Sequence, residues 1–130
     1  GGEQARVLIA RALAQDTSIL MADEPTASLD PANQISTLKT FSELAEAGKG
    51  IIASIHDLGL AARYCTKLAL LDRGKLVAFG PADEVLTPDN LRTVFSIEAH
   101  YEKTKQGVIF QPLSVLKKSN KNFDQGDTLK

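Results

Sequence analysis

The sequence has one cysteine, Cys65, so no disulfide can form within the chain. It has no tryptophan, and no apolar run approaches the roughly eighteen residues that a membrane-spanning helix needs. Fifteen Lys and Arg residues against sixteen Asp and Glu residues give a net charge of -1, so no overall positive field favours nucleic acid. The composition is that of a globular domain, and the single cysteine is consistent with a reducing compartment.

The start of the chain is unusual, because it opens with Gly1-Gly2 and its one methionine is Met21. We therefore expect a fragment, a processed piece or an incomplete sequence. No Gly-x-x-x-x-Gly-Lys-[Ser/Thr] motif occurs anywhere in the chain. The loop that cradles nucleotide phosphates in many nucleotidases is therefore missing.

Apolar runs alternate with helical patterns through the first half of the chain. Short apolar runs bounded by turn residues are typical of buried strands in parallel sheets. Strands are predicted at 18–22, 51–55 and 67–71, and helices at 3–15, from Pro31 to about Gly48, and from Asp57 to Tyr64. This alternation predicts an α/β fold with a parallel sheet flanked by helices.

Turn signals are denser in the second half. Asp72-Arg73-Gly74-Lys75 predicts a hairpin that joins 67–71 to 75–79. Short helices are predicted at 81–86 and from Pro88 to about Ser96, followed by a small hairpin of 97–102 with 108–111. We expect residues 1–116 to form one domain and residues 117–130, which are polar, to form a flexible tail.

Two adjacent carboxylates, Asp23 and Glu24, follow the first predicted strand. Ligands of parallel sheets bind beyond the carboxyl ends of the strands. Asp23 is suited to hold Mg²⁺, and Glu24 is then placed to orient an attacking water. The alternative is an acidic pair that ends a strand in solvent.

Other polar residues have both a functional and an ordinary interpretation. His56 ends the second predicted strand and would lie at the same sheet edge as the acids, although it could be a simple loop residue. Gly1 and Gly2 precede a predicted helix whose N-terminus would favour an anion, but they also resemble a flexible terminus. Asp30 is most simply a helix cap, and Cys65 a small buried residue.

Three segments together resemble the second half of an ABC transporter ATPase subunit, in order and in spacing. They are residues 1–13 (GGEQARVLIARAL), 19–30 (ILMADEPTASLD) and 51–57 (IIASIHD). The resemblance extends from about Gly1 to Gln111. It implies a P-loop NTPase-type (RecA-like) parallel sheet, incomplete here, with a small C-terminal β-hairpin.

The resemblance also implies roles for individual residues. Asp23 matches the acid that holds Mg²⁺, Glu24 the catalytic base that polarises water, and His56 the histidine that contacts the γ-phosphate. The signature that contacts ATP held by the opposite subunit is matched by Gly1, Gly2 and Glu3, without the Leu-Ser that should precede them. A loop that communicates across the dimer is matched by Ser28, Leu29 and Asp30.

Less specific sequence similarities at 74–81, 84–91 and 95–98 resemble the ATPase subunits of importers of iron-siderophore, haem and vitamin B12 type. The resemblance then implies ATP and Mg²⁺ as cofactors, and a second ATPase subunit as partner in a homodimer. It further implies transmembrane permease subunits, an indirect link to a solute-binding protein, and a peripheral position on the cytoplasmic face of the plasma membrane. No nucleic-acid partner is expected.

The chain departs from this pattern in lacking both the phosphate loop and the upstream glutamine loop. In the family fold the strand that carries the phosphate loop lies between the counterparts of 51–55 and 67–71, so we expect two unpaired strand edges and no ATP hydrolysis by this chain alone. An alternative is a short product that binds a partner subunit without catalysis. A role in translation or DNA repair is disfavoured by residues 26–30 and by the importer-like segment from Gly74.

Overall fold

The structure, a computed structural model, describes residues 18–117 and residues 7, 10 and 11, of which the last three are helical. Most of the helix predicted at 3–15, the glycines at its start and residues 118–130 lie outside the described residues. The elements, in chain order, are β1 Ile19–Asp23, α1 Pro31–Glu46, β2 Gly50–Ser54, α2 Leu58–Tyr64, β3 Leu68–Asp72, β4 Lys75–Gly80, α3 Ala82–Val85, α4 Pro88–Asn90, a π-helical turn Leu91–Phe95, β5 Ile97–Thr104 and β6 Gly107–Val115. No helix among the described residues is long and apolar enough to cross a membrane.

β1 and β2 form a parallel pair joined by α1. Their register places Asp23 opposite Ser54, so both strands end at the same edge. Alternate residues of β1 point to opposite faces, and Leu20 and Ala22 are buried with two residues of α1, Leu38 and Phe41. This first core fixes the position of the strand ends.

The other face of the same pair is open in the described chain. Ile19, Met21 and Ile52 are 55%, 75% and 58% exposed there. Parallel sheets are ordinarily covered on both faces. The described residues therefore supply only one of the two covering layers of this sheet.

α1 begins and ends where its sequence signals predict. The side chain of Asp30 accepts a hydrogen bond from the Asn33 backbone N–H, and Pro31 occupies the first turn, where its missing N–H costs nothing. Gly48 follows the helix with a φ of +102°, a left-handed conformation that glycine adopts without strain.

A second core lies around α2, the short helices and the C-terminal hairpin. Its buried members are Ala62, Ala82, Leu86 and Leu91, and partly buried apolar residues of β5 and β6 pack against them. α2 connects the two cores, because Ala62 belongs to the second core while its neighbours Leu60 and Tyr64 pack against the first.

The α/β class is confirmed, as is the C-terminal hairpin. Among the described residues β3 pairs with β4 alone and not with β2, which agrees with the unpaired strand edges expected where the intervening strand is lacking. Two details differ from the sequence prediction. The single helix predicted from Pro88 to Ser96 is two pieces, and Ser96 ends the second with a φ of +55°. The hairpin of β5 and β6 is longer than predicted, because a bulge between Glu98 and Ala99 lets the pairing continue past Pro112.

Candidate functional site

The carboxyl ends of β1 and β2 bring a carboxylate and a hydroxyl together. Asp23 is the last residue of β1 and Ser54 the last of β2, in paired register. The Ser54 Oγ–H donates a hydrogen bond of 2.6 Å to Oδ1 of Asp23. The carboxylate is thus oriented by the neighbouring strand, at an edge that is open to solvent.

Glu24 turns the chain sharply away from the sheet. Its φ is +46°, which is rare for a residue with a side chain and costs about 1–3 kcal/mol that neighbouring interactions must offset. Its backbone N–H donates to both oxygens of Ser54, at 3.1 Å to the carbonyl and 2.8 Å to Oγ. These bonds hold the strained residue in place.

The side chains of Glu24 and His56 are in direct contact. Nε2 of His56 hydrogen-bonds Oε1 of Glu24. An ionised carboxylate can only accept, so the Nε2–H of the imidazole must be the donor. The His56 side chain is 85% exposed and that of Glu24 is 45% exposed, which leaves both reachable by a solvent-borne ligand.

The loop between β1 and α1 is folded by its own backbone bonds. Ala27 N–H donates to the Glu24 carbonyl at 3.1 Å, and Thr26, which is 6% exposed, is anchored by Gln34 Nε2 at 3.4 Å from its carbonyl oxygen. Ser28 lies on the exposed side of this loop with a φ of +61°. The loop therefore has a defined course from the acids to the start of α1.

The structure separates the predicted site residues into three groups. Asp23, Glu24 and His56 lie together at one sheet edge. Ser28 and Asp30 share the following loop, and within residues 18–117 neither hydrogen-bonds to the first group. Asp30 serves as the cap of α1, which is the simpler of its two predicted interpretations. The third group, Gly1, Gly2 and Glu3, lies outside the described residues.

Cys65 is half-buried at the end of α2, and burial raises the pKa of its thiol. A raised pKa disfavours the thiolate, which is the nucleophilic form. This agrees with the interpretation of Cys65 as a small packing residue.

The donor set at this edge fits Mg²⁺ shared with a phosphate ligand. Among the residues that the structure describes, no group of three or more His, Cys, Asp or Glu side chains could enclose a metal. Mg²⁺ does not need such a group, because it commonly takes one or two carboxylates and completes its shell with water and phosphate oxygens. Asp23, already oriented by Ser54, is the carboxylate that suits this role.

Ser54 is not among the site residues predicted from the sequence. It is the only polar residue in the apolar run 51–55, and that contrast was the available signal. Its significance depends on the register between β1 and β2, which places its hydroxyl beside both acids. Periodicity within one strand does not give that register.

The chain is similar to ATP-binding subunits of known importers, although no protein-family profile matches it. It is 50% identical over 108 residues to the hemin import ATP-binding protein HmuV of Bordetella pertussis, across 76% of this chain and 41% of that protein. It is 50% identical over 96 residues to the cobalamin import ATP-binding protein BtuD of Halobacterium salinarum, across 73% of this chain and 24% of that protein. The chain therefore spans less than half the length of these curated relatives.

Solved structures of ABC transporters and their ATP-binding cassettes share this fold, which confirms the predicted P-loop-type sheet, incomplete in this chain. A metal-chelate-type ABC transporter in an inward-facing conformation matches 87% of this chain and 47% of its own, with a TM-score of 0.75 and 28% identity. A dimeric ATP-binding cassette in a post-hydrolysis state with ADP and phosphate matches 62% of this chain and 35% of its own, with a TM-score of 0.56 and 32% identity.

Proposed function

The chain is a homologue of the ATP-binding subunits of ABC importers, and from this premise we propose that it supplies the metal-binding and water-activating part of such a subunit. The complete subunit would bind and hydrolyse ATP to energise uptake of a metal chelate. One observation carries the proposal: Asp23, Glu24 and His56 converge at the carboxyl edge of a parallel strand pair. Catalysis of phosphoryl transfer to water depends on positioning of this kind.

Each of the three residues has a distinct task in this proposal. Asp23 would hold Mg²⁺, which when bound neutralises charge on the phosphates. Glu24 would orient the attacking water and accept its proton, and before a nucleotide binds its carboxylate is held by the Nε2–H of His56. His56 would donate a hydrogen bond toward the terminal phosphate, since its exposed ring can turn from Glu24 to a ligand.

The transported solute is proposed from the relatives. Two of them are named for import of hemin and of cobalamin, and one structural match is of metal-chelate type. We propose that the complete importer transports a solute of the same class, namely an iron-siderophore, haem or cobalamin. Its partners would be a second ATPase subunit and transmembrane permeases, with a solute-binding protein acting indirectly, at the cytoplasmic face of the membrane.

The remaining predicted site residues enter the proposal through the dimer. Gly1, Gly2 and Glu3 would contact ATP held by the opposite subunit. Ser28 and Asp30 would take part in communication across the interface, and the exposed position of Ser28 is compatible with such a contact. Half of each ATP site would therefore come from each subunit.

This chain by itself is expected not to hydrolyse ATP. It contains no phosphate-cradling motif, and the open face of its β1–β2 pair lacks a covering layer among the described residues. Without a phosphate-binding loop, few backbone N–H groups would be available to hold the nucleotide phosphates next to Asp23. Mg²⁺-dependent ATP hydrolysis by the purified 130-residue chain, abolished by Glu24→Gln, would overturn this expectation.

The test of function uses a chimaeric cassette, in which residues 1–117 of this chain replace the aligned segment of the Bordetella pertussis relative. We expect the chimaera to hydrolyse Mg-ATP and Glu24→Gln to lower kcat by about 10²-fold or more, because the variant loses a general base. ATP binding, measured with a fluorescent nucleotide, should be retained. Glu46→Gln, on the exposed end of α1, is the matched control. Equal kcat for Glu24→Gln and the control would refute the assignment of Glu24.

A further inference from the structure

We propose that Ser54 is a positioning residue for both acids of the site, an inference that rests on the proposed function. Its hydroxyl would set the orientation of the Mg²⁺-binding carboxylate and the backbone of the water-activating residue together. The geometry that points to this is a single Oγ atom placed between Asp23 and Glu24.

The two hydrogen bonds of the Ser54 hydroxyl have fixed directions. The Asp23 carboxylate is acceptor-only when ionised, so the hydroxyl proton must point to Oδ1, at 2.6 Å. The Glu24 N–H is donor-only, so it uses a lone pair of the same Oγ, at 2.8 Å. One hydroxyl therefore makes one donated and one accepted bond, and rotation about its C–O bond would break the donated one.

The consequence for Asp23 concerns its orientation toward a metal. The Ser54 bond uses Oδ1, and a carboxylate has a second oxygen with which to coordinate a cation. Partners that orient a metal-binding side chain in this way commonly affect metal affinity by about 10- to 100-fold.

The consequence for Glu24 concerns its backbone. The φ of +46° at Glu24 directs its side chain to His56, and the N–H of this strained residue is held by Ser54. Losing the Oγ bond leaves only the longer bond of 3.1 Å to the Ser54 carbonyl. The position of the carboxylate beside His56 would then be less restricted.

Ser54 is suited to a test because it is exposed at the end of β2, so its replacement removes little packing. Ser54→Ala deletes the hydroxyl, and Ser54→Thr keeps it. Ser114→Ala is the matched control: Ser114 is also an exposed strand serine that donates to a carboxylate, Oε2 of Glu98 at 3.5 Å, on the C-terminal hairpin.

The first measurement follows hydrogen exchange of the Glu24 amide in the 130-residue chain by NMR. We expect Ser54→Ala to accelerate this exchange about fivefold, the factor that corresponds to loss of one ordinary hydrogen bond. Ser54→Thr and Ser114→Ala should leave it at the wild-type rate. An unchanged Glu24 amide in Ser54→Ala would overturn the proposed geometry, and this readout does not depend on ATP hydrolysis.

The second measurement uses the chimaeric cassette with Mn²⁺ as the probe, followed by electron paramagnetic resonance in the presence of nucleotide. We expect Ser54→Ala to weaken Mn²⁺ binding about tenfold and to raise the Mg²⁺ concentration for half-maximal hydrolysis by a similar factor. Nucleotide binding in EDTA should not change, and Ser54→Thr should restore metal binding. Faster Glu24 exchange with unchanged Mn²⁺ binding would overturn the proposal, since Ser54 would then be structural only. A chimaera that binds Mn²⁺ as expected but hydrolyses no ATP would instead refute the proposed function.

Discussion

Asp30 offers a test that separates a structural role from a functional one. In the structure its Oδ1 accepts the Asn33 backbone N–H at 2.8 Å, and its Oδ2 accepts Nδ2 of Asn33 at 3.1 Å. The proposed function also places Asp30 in a loop that communicates across a dimer. Asp30→Ala removes both the cap and the charge, whereas Asp30→Asn keeps an equally good capping side chain and removes only the charge.

The expected magnitudes follow from these two contributions. Loss of the cap costs about 1 kcal/mol, and loss of a negative charge at a helix N-terminus costs a further 0.3–1 kcal/mol, roughly. Asp30→Ala should therefore lower the free energy of unfolding by about 1.5 kcal/mol, and Asp30→Asn by about 0.5 kcal/mol. For a domain near 100 residues these values correspond to decreases in Tm of about 6–12 °C and about 2–4 °C.

The assay is urea and thermal unfolding followed by far-UV circular dichroism. Asp89→Ala is the control: Asp89 is also an acid at the start of a helix but is not its cap, and its exposed ion pair with Arg92 at 3.5 Å contributes little, so the variant should change stability by less than about 0.5 kcal/mol. Equal destabilisation by Asp30→Ala and Asp30→Asn would refute the capping argument. In the chimaeric cassette, Asp30→Asn that is stable but loses ATPase activity would show that the charge has a separate task.

Two further predictions concern stability, one at a surface ion pair and one in the second core. Lys103 Nζ donates to Oδ2 of Asp83 at 2.5 Å, and this bond is the main cause of the lowered pKa of Asp83 and the raised pKa of Lys103. The ion pair should therefore stabilise the fold near neutral pH, with its contribution lost as pH falls through the lowered pKa of Asp83 or rises through the raised pKa of Lys103. Urea unfolding should show Asp83→Asn less stable than wild type at about pH 7, with the difference narrowing as the pH falls below the ordinary aspartate pKa of about 3.9, and a constant difference would contradict this. Leu91→Ala should cost about 2–5 kcal/mol, because Leu91 is 3% exposed among Ala62, Ala82 and Leu86. The exposed Leu113→Ala is the control, and equal urea midpoints for the two variants would refute the placement of Leu91 in the core.

Much of the first core could be predicted because its signals are local. The apolar run before Asp23 predicts a strand, the Asp30-Pro31 pair starts α1, and Gly48 ends it. A helix of this length between two short strands favours parallel pairing. Parallel pairing then places Asp23 and the residues just before His56 at one edge, which the structure has.

The remaining features depend on contacts that no local pattern reports. The π-helical turn Leu91–Phe95 buries Leu91 in the second core, and its altered hydrogen-bond spacing leaves no distinct periodicity over five residues. The length of the C-terminal hairpin depends on the bulge at Glu98 and Ala99. Arg63 of α2 also supports that hairpin, donating to the Gln106 carbonyl at 2.5 Å. The contacts of Leu91 with Ala62 and of Arg63 with Gln106 join segments that are far apart in sequence.

The contacts that assemble the site also join distant segments of the chain, but they are confined to two strand ends and the residues next to them. Ser54 hydrogen-bonds both Asp23 and Glu24, and the Glu24 side chain contacts His56. The arrangement therefore depends on the β1–β2 register, which the first core maintains. In the proposed function the hydrolytic geometry would depend on this register, whereas ATP binding would require a phosphate-binding segment brought to the same edge.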